Sequence, residues 1–193
     1  MDTLLSGQVP SATFDEAADT VLAARALHDE DAFTSLYRAH AMEVYRYCYR
    51  RLGTREAAED ATSQTFINAY TGLRNLGNKP FRPWLFSIAH NVVVDMHRSR
   101  RPIASLDETF DRVDSLPSPE TAALDWEQHD AVQQLLRQLP KRDREVVELR
   151  LSGLTGREIA QALNCSPDAV RTAHHRAMQR MRAFVSEEGI VDL

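Results

Sequence analysis

Glycine is scarce in this chain, with seven in 193 residues. That excludes a turn-rich all-β design, because tight hairpin turns draw on residues that tolerate positive φ. Cysteine is scarcer still. Cys48 and Cys165 stand apart with no C-x-x-C pair, so neither a disulfide framework nor a thiolate zinc site is encoded. The histidines do not alter this: His90 and His97, or the adjacent His174 and His175, lack a matching set of thiolates or carboxylates, and no metal or other cofactor is expected. No apolar run approaches the roughly 20 residues of a membrane helix, and the start "MDTLLSGQVP" has neither the basic residues nor the apolar core of a signal peptide, so a cytoplasmic protein is expected. Nucleophile elbows and phosphate loops are also missing, which argues against an enzyme.

What remains is helix-forming sequence, 43% hydrophobic and 26% charged. The net charge of -5 is unevenly spread. Residues 1–101 hold 12 acids and 12 bases, 102–124 hold 5 acids and 1 base, and 125–193 hold 11 acids and 10 bases. The acidic middle carries Pro102, Pro117 and Pro119 and no sustained helical period, so it reads as a linker between two helical domains. The expected fold is all-α: two small helical bundles joined by a flexible acidic linker. The divisions are an N-terminal extension over 1–28 (a short helix or a flexible tail), a first domain over 29–101, the linker over 102–124, a second domain over 125–188 and a tail over 189–193.

Within the first domain, Phe33, Leu36, Tyr37, His40, Val44 and Tyr47 recur at helical spacing and predict one buried stripe, with Asp29 or Asp31 as its cap. Thr54 is placed to cap a second helix with Ala58, Ala61, Thr62, Thr65, Phe66, Ala69, Tyr70 and Leu73 inward. Glu56, Glu59, Asp60, Ser63, Gln64 and Asn68 lie on its opposite face. After the loop "RNLGNKP", a third helix from about Phe81 to Arg101 turns Trp84, Leu85, Ile88, Val92 and Met96 inward. In the second domain, Pro119 opens a helix and Pro140 turns the chain. The helix "KRDREVVELRLSG" then stops at Gly153.

"LTGREIAQALNCSPDAVRTAHHRAMQRMR" then reads as two short helices around a tight corner. Ile159, Ala160 and Leu163 lie on one side of the first, and Ala160 is small enough for close crossing. At the corner, Asn164 suits a left-handed residue, Ser166 a cap and Pro167 the first helical position. With Val170, His174, Ala177 and Met181 inward, the second helix presents Ser166, Asp168, Arg171, Thr172, His175 and Arg176. A cationic, hydrogen-bonding helix of this kind fits a DNA major groove, with Arg180 and Arg182 placed for phosphates. In the first domain, Arg74, Lys79 and Arg82 surround the aromatic start of the third helix, a combination suited to single-stranded DNA. Trp84 and Phe86 also have a plain reading as core.

"FTSLYRAHAMEVYRYCYRRLG", "AAEDATSQTFINAY", "FRPWLFSIAHNVVVDMHRSRR" and "LPKRDREVVELRLSGLTGREIAQALNCSPDAVRTAHHRAMQRMR" follow one another as in the extracytoplasmic-function (ECF, group IV) sigma factors of bacterial RNA polymerase. The chain resembles that family over about 30–101 and 125–183. The resemblance implies a dissociable subunit that binds core RNA polymerase, reads the promoter -35 element with the C-terminal helix and opens the -10 element with the first domain. An anti-sigma factor is a common partner in that family. By position, Asn91 and the loop from Arg74 to Arg82 would capture a flipped -10 base, and Arg98, Arg100 and Arg101 would bind backbone. Asp60, Gln64, Thr65 and Phe66 would meet the clamp helices of the large polymerase subunit. The linker, with Asp107, Glu108, Asp111 and Asp114, would thread the polymerase and restrain the free subunit.

The match has departures. Gln64 in "DATSQTF" replaces a frequent acid, and Ala61 and Thr62 replace larger apolar residues. In "VRTAHHRA", Ala173 stands at a usual Arg and His174 at a usual inward Leu, where it reads as a boundary residue. The alternative function is a helix-turn-helix regulator that acts without recruiting core polymerase directly.

Overall fold

The computed structural model describes residues 16–99 and 134–187. The linker over 102–124, the helix opening at Pro119, Arg100 and Arg101, and the tail over 189–193 lie outside these residues. Among the described residues every regular element is helical.

The first bundle contains α1 (Glu16–Arg25), α2 (Glu30–Leu52), α3 (Arg55–Gly72) and α4 (Phe81–Ser99), with a short 3-10 turn at Leu73–Asn75. Its boundaries are set by local chemistry. Asp29 caps α2 by accepting from the amides of Asp31 and Ala32, which settles the choice between the two aspartates. Gly53 ends α2 at φ 78°, donating to the Tyr49 carbonyl; a left-handed C′ position of this kind costs glycine no steric penalty. Thr54 then caps α3 through the Ala57 amide.

The second bundle contains α5 (Lys141–Leu151), α6 (Gly156–Ala162) and α7 (Pro167–Glu187), preceded by a helical turn over 134–137. Gly153, at φ 80°, follows the end of α5. Thr155 and Glu158 form a reciprocal capping box on α6, satisfying two amides that the first turn would leave unpaired. The corner between α6 and α7 follows the sequence expectation: Asn164 is left-handed at φ 48°, and the Ser166 hydroxyl accepts from the Ala169 amide at 3.2 Å.

Burial corrects the sequence reading in four places. Tyr37 and Tyr70, expected inward, are 45% and 47% exposed. They sit at the margins of their stripes, where a phenol can keep its ring on the core and its hydroxyl in water. On α7 the buried residues include Ala173, with Val170 and Ala177, while His174 is half-buried. The small Ala173 allows close packing at a place where a longer side chain would be pushed outward. On α4 the buried positions are Phe81, Leu85, Phe86, Ala89, Val92 and Val93, together with Arg82 and Pro83, a far wider surface than one stripe.

The cause is a second neighbour. One side of α4 packs on α2 and α3, and another packs on α6 of the second bundle. A single apolar core therefore runs from Leu36, Tyr47 and Phe86 through to Leu149, Leu154, Ile159 and Val170. A helix covered on two sides loses the one-faced pattern that periodicity detects.

Candidate functional site

Around the corner of the second bundle, α7 points one face at α5 and α6 and leaves the other in solvent. Ser166, Arg171, Thr172, His175, Arg176 and Arg180 are all exposed there. Two are restrained by their own helix: Arg171 reaches Asp168 at 3.1 Å with both side chains about 80% exposed, and the Thr172 hydroxyl donates to the Asp168 carbonyl. Such an exposed pair contributes little and is readily exchanged for DNA.

Arg176 is held differently. Its Nη2 donates to Oδ1 of Asp143 at 2.7 Å and its Nε to Oδ2 at 3.4 Å. Asp143 is buried on α5. This two-pronged contact fixes the guanidinium while about half of the side chain stays exposed, giving Arg176 a set direction along the exposed face. Sequence reading passed over Asp143. The signal was an acid three residues after Pro140, within the first turn of α5, where a helix dipole already favours negative charge.

In the first bundle the expected DNA contacts divide. Arg74, Lys79, Asn91 and Arg98 are exposed, and Arg98 lies 3.8 Å from Asp95. Trp84 is half-buried, its ring near Phe81 and against the backbone of Gly72. Arg82 is only 6% exposed and faces protein on every side. Arg100 and Arg101 lie outside the described residues.

The expected polymerase-facing set divides as well. Asp60 and Gln64 are exposed, and the Gln64 amide donates to Asn68 at 2.8 Å. Thr65 and Phe66 are buried, with the Thr65 hydroxyl turned back to the Ala61 carbonyl. The accessible surface beside them comprises Tyr37, Ile67 and Tyr70, over an aromatic cluster in which Phe33 meets Tyr70 at 4.9 Å and Tyr37 meets Phe66 at 4.7 Å. Next to it, Asp60, Gln64, Asn68, Asp95 and Met96 line a groove between α3 and α4.

Between the bundles lies a set of buried polar contacts that no stretch of sequence announces. Arg51 and Glu148 form an ion pair with side chains 4% and 3% exposed. Burial pushes the Glu148 carboxyl up, against the pull of Arg51. Arg50 donates to the Ser152 hydroxyl and to the Glu148 carbonyl. His90 shares a hydrogen bond with the Tyr47 hydroxyl at 3.2 Å and faces Glu145 at 3.7 Å. Burial, then the charges of Arg51, Lys141 and Arg142, push its imidazole down to about 4.

Two small helical bundles, the second a helix-turn-helix with an exposed cationic second helix, define a DNA-binding protein of transcription. Comparison with known proteins gives the family. A model of sigma-70 region 2 matches residues 36–103 and one of sigma-70 region 4 matches 129–181. The chain is 31% identical to the ECF RNA polymerase sigma factor SigW of Bacillus subtilis, over 80% of this chain and 89% of that protein. It is 34% identical to SigD of Mycobacterium tuberculosis, over 93% and 90%. Among solved structures, CnrH in complex with the cytosolic domain of CnrY superposes with a TM-score of 0.70 at 26% identity, over 88% of this chain and 98% of that one. RpoE in complex with the anti-sigma factor NepR from Bartonella quintana shares the fold, with a TM-score of 0.59 at 19% identity. The chain belongs to the ECF RNA polymerase sigma factors, and it is an alternative sigma factor.

Proposed function

We propose that this sigma factor docks on core RNA polymerase through the outer face of α3, reads the -35 element with α7 and engages the -10 element with the free part of α4 and the loop before it. The observation that carries the reading is the face of Arg171, Thr172, His175, Arg176 and Arg180, which is exposed and cationic along one side of the second helix of the corner. In a major groove about 12 Å wide such a face meets base edges near its N-terminal end and phosphates further along.

Docking on polymerase rests on Asp60, Gln64, Ile67 and Tyr70, which combine acceptors with exposed apolar surface. That mixture fits a helical protein partner, with aromatic anchors at the centre and polar groups at the rim. Thr65 and Phe66 support this face from beneath. An anti-sigma factor is a further candidate partner, since CnrH, a relative in structure, is seen in complex with the cytosolic domain of CnrY. At the -10 element, Asn91 and the cations Arg74, Lys79 and Arg98 are the groups that solvent already reaches.

Transcription by purified core polymerase on a promoter template, with and without this chain, tests the reading. Specific transcripts are expected from core plus this chain alone. If they appear only when another sigma factor is supplied, the chain acts as a separate regulator.

A further inference from the structure

Arg82 is the most completely engaged cation among the described residues. A guanidinium has five N–H groups, and here each has an acceptor. Nε donates to Glu43 Oε2 at 3.2 Å, and Nη2 donates to Glu43 Oε1 at 3.3 Å and to the Ser152 carbonyl at 2.9 Å. Nη1 donates to Glu158 Oε1 at 3.1 Å and to the Gly153 carbonyl at 3.4 Å. Two of these bonds stay within the first bundle and three cross to the second. Gly153 shapes the seat, since a Cβ there would lie 3.3 Å from Arg82 Nη2.

The contact continues outward to the N-terminal helix. Glu43 Oε2 lies 3.6 Å from His40 Nδ1, and His40 Nε2 bonds Asp19 of α1 at 2.8 Å. The His40 side chain is fully buried and that of Asp19 nearly so. Asp19, His40, Glu43, Arg82 and Glu158 thus form a row of acids and bases that runs from α1 through α2 and α4 to α6. Glu158 has two tasks: one oxygen closes the capping box on the Thr155 amide at 2.7 Å, and the other receives Arg82.

We infer that Arg82 bolts the two bundles into a closed form that cannot span a promoter, and that α1, through Asp19, His40 and Glu43, holds Arg82 in the orientation that bolts. The inference rests on the sigma-factor reading of both bundles. Elements named -35 and -10 lie about 25 base pairs apart, or ~85 Å along the duplex at about 3.4 Å per base pair. Helices α4 and α7 are each about 30 Å long at 1.5 Å per residue and are joined through α6, so their reading faces cannot lie that far apart. The closed form engages one element at a time. Opening frees three of the five Arg82 N–H groups and returns a cation to the start of α4, beside the other -10 candidates. The residue that locks the free subunit is then available to the DNA once the bundles part.

Two variants of the full chain test this. Glu158→Gln keeps a side chain that can close the capping box and removes the charge facing Arg82. Asp19→Asn keeps an acceptor for His40 and removes the charge at α1. In small-angle scattering without DNA, Glu158→Gln should enlarge the radius of gyration. Its affinity for a duplex carrying both elements should rise about ten-fold, the scale of one hydrogen bond to a charged group, while affinity for a duplex carrying only the -35 element stays unchanged because α7 is already exposed. Asp19→Asn should move the same quantities in the same direction by a few fold. If scattering and two-element affinity of Glu158→Gln match the parent, Arg82 is not the bolt. If only Asp19→Asn matches the parent, α1 has no part in it. Initiation with core polymerase separates this from the functional reading: Glu158→Gln should initiate like the parent, and failure of both to initiate would remove the sigma role while leaving the scattering result to judge the bolt.

Discussion

The two surfaces proposed to meet DNA differ in what their helices do on the other side. Helix α7 packs on α5, α6 and the turn carrying Leu136 and Leu139, and its six candidate contacts all face solvent. Helix α4 lies between α2 and α3 on one side and α6 on another, and its candidates separate along its length, with Arg82 buried at the start and Asn91 and Arg98 exposed further on. The amino-acid chemistry of the two surfaces is similar. The position of the second bundle decides which cations are available, so one surface is ready in the free subunit and the other is incomplete until the bundles part.

The largest expected effect comes from removing the buried carboxylate that joins the bundles. Glu148→Ala leaves Arg51 buried without its partner, and stranding one member of a buried pair costs about 3–5 kcal/mol. The bundles should separate rather than bear that cost. Amide exchange in α6 and at the start of α4 should accelerate by a hundred-fold or more, while α3 exchanges as in the parent. If α6 and α4 keep the protection of the parent, the interface stands on its apolar core and the ion pair adds nothing. An apolar replacement of both partners, Arg51→Met with Glu148→Leu, should keep the bundles together, because two buried charges are then removed at once.

The next effect sharpens the proposed reading face itself, by contrasting two arginines five residues apart on α7. Arg171→Ala loses a side chain held only by an exposed neighbour, so its cost should fall on DNA: about 1–3 kcal/mol of discrimination at one base pair if it reads a base edge. Arg176→Ala also strands Asp143, a buried acid, and should lower thermal stability as well as DNA binding. Binding to a set of single-base -35 variants, measured beside thermal melting, separates the two. An Arg176→Ala protein that melts like the parent would mean that the Asp143 contact contributes nothing to the bundle. An Arg171→Ala protein that weakens every sequence alike would make Arg171 a phosphate contact.

Much of this architecture is legible in the sequence because it is local. The caps at Asp29, Thr54 and Ser166, the left-handed residues Asn164 and Gly153, and the outward face of α7 each depend on a few neighbouring residues. So does the alternation that puts Asp60 and Gln64 outside. What local sequence does not show is non-local. Arg82 follows Phe81 in a basic, aromatic stretch that suits DNA, and nothing nearby tells that Glu158 and two carbonyls some 70 residues on will take its donors. Periodicity puts Thr65 and Phe66 inward, where they lie, and only the resemblance sets them on the surface proposed to meet polymerase. The restraint expected of the acidic linker falls outside the described residues, and the inferred restraint rests instead on the ion pairs between the bundles.

The smallest effect concerns proton uptake at the same contact and gives the comparison a sign. His90 is neutral in the closed form, with burial and then Arg51, Lys141 and Arg142 pushing it down to about 4. In an open form it returns to the ordinary value near 6.5. A histidine depressed in this way supports the closed form fully above about 6.5, and that support is lost as the pH falls towards 4. At pH 6 the closed form should lose about four-fold relative to pH 8, or ~0.8 kcal/mol. Another group titrates across the same contacts: burial lifts the Glu148 carboxyl. That shift favours the closed form in acid, so the His90 contribution is read by difference. Scattering or exchange of the parent and of His90→Gln, followed from pH 8 to pH 6, should diverge, with the parent opening more on acidification. The carboxylate of Glu145 at 3.7 Å pulls the other way. If the parent instead closes relative to the variant as acid is added, Glu145 wins and His90 is a cation in the closed form, which makes α4 charged at its centre as well as at Arg82.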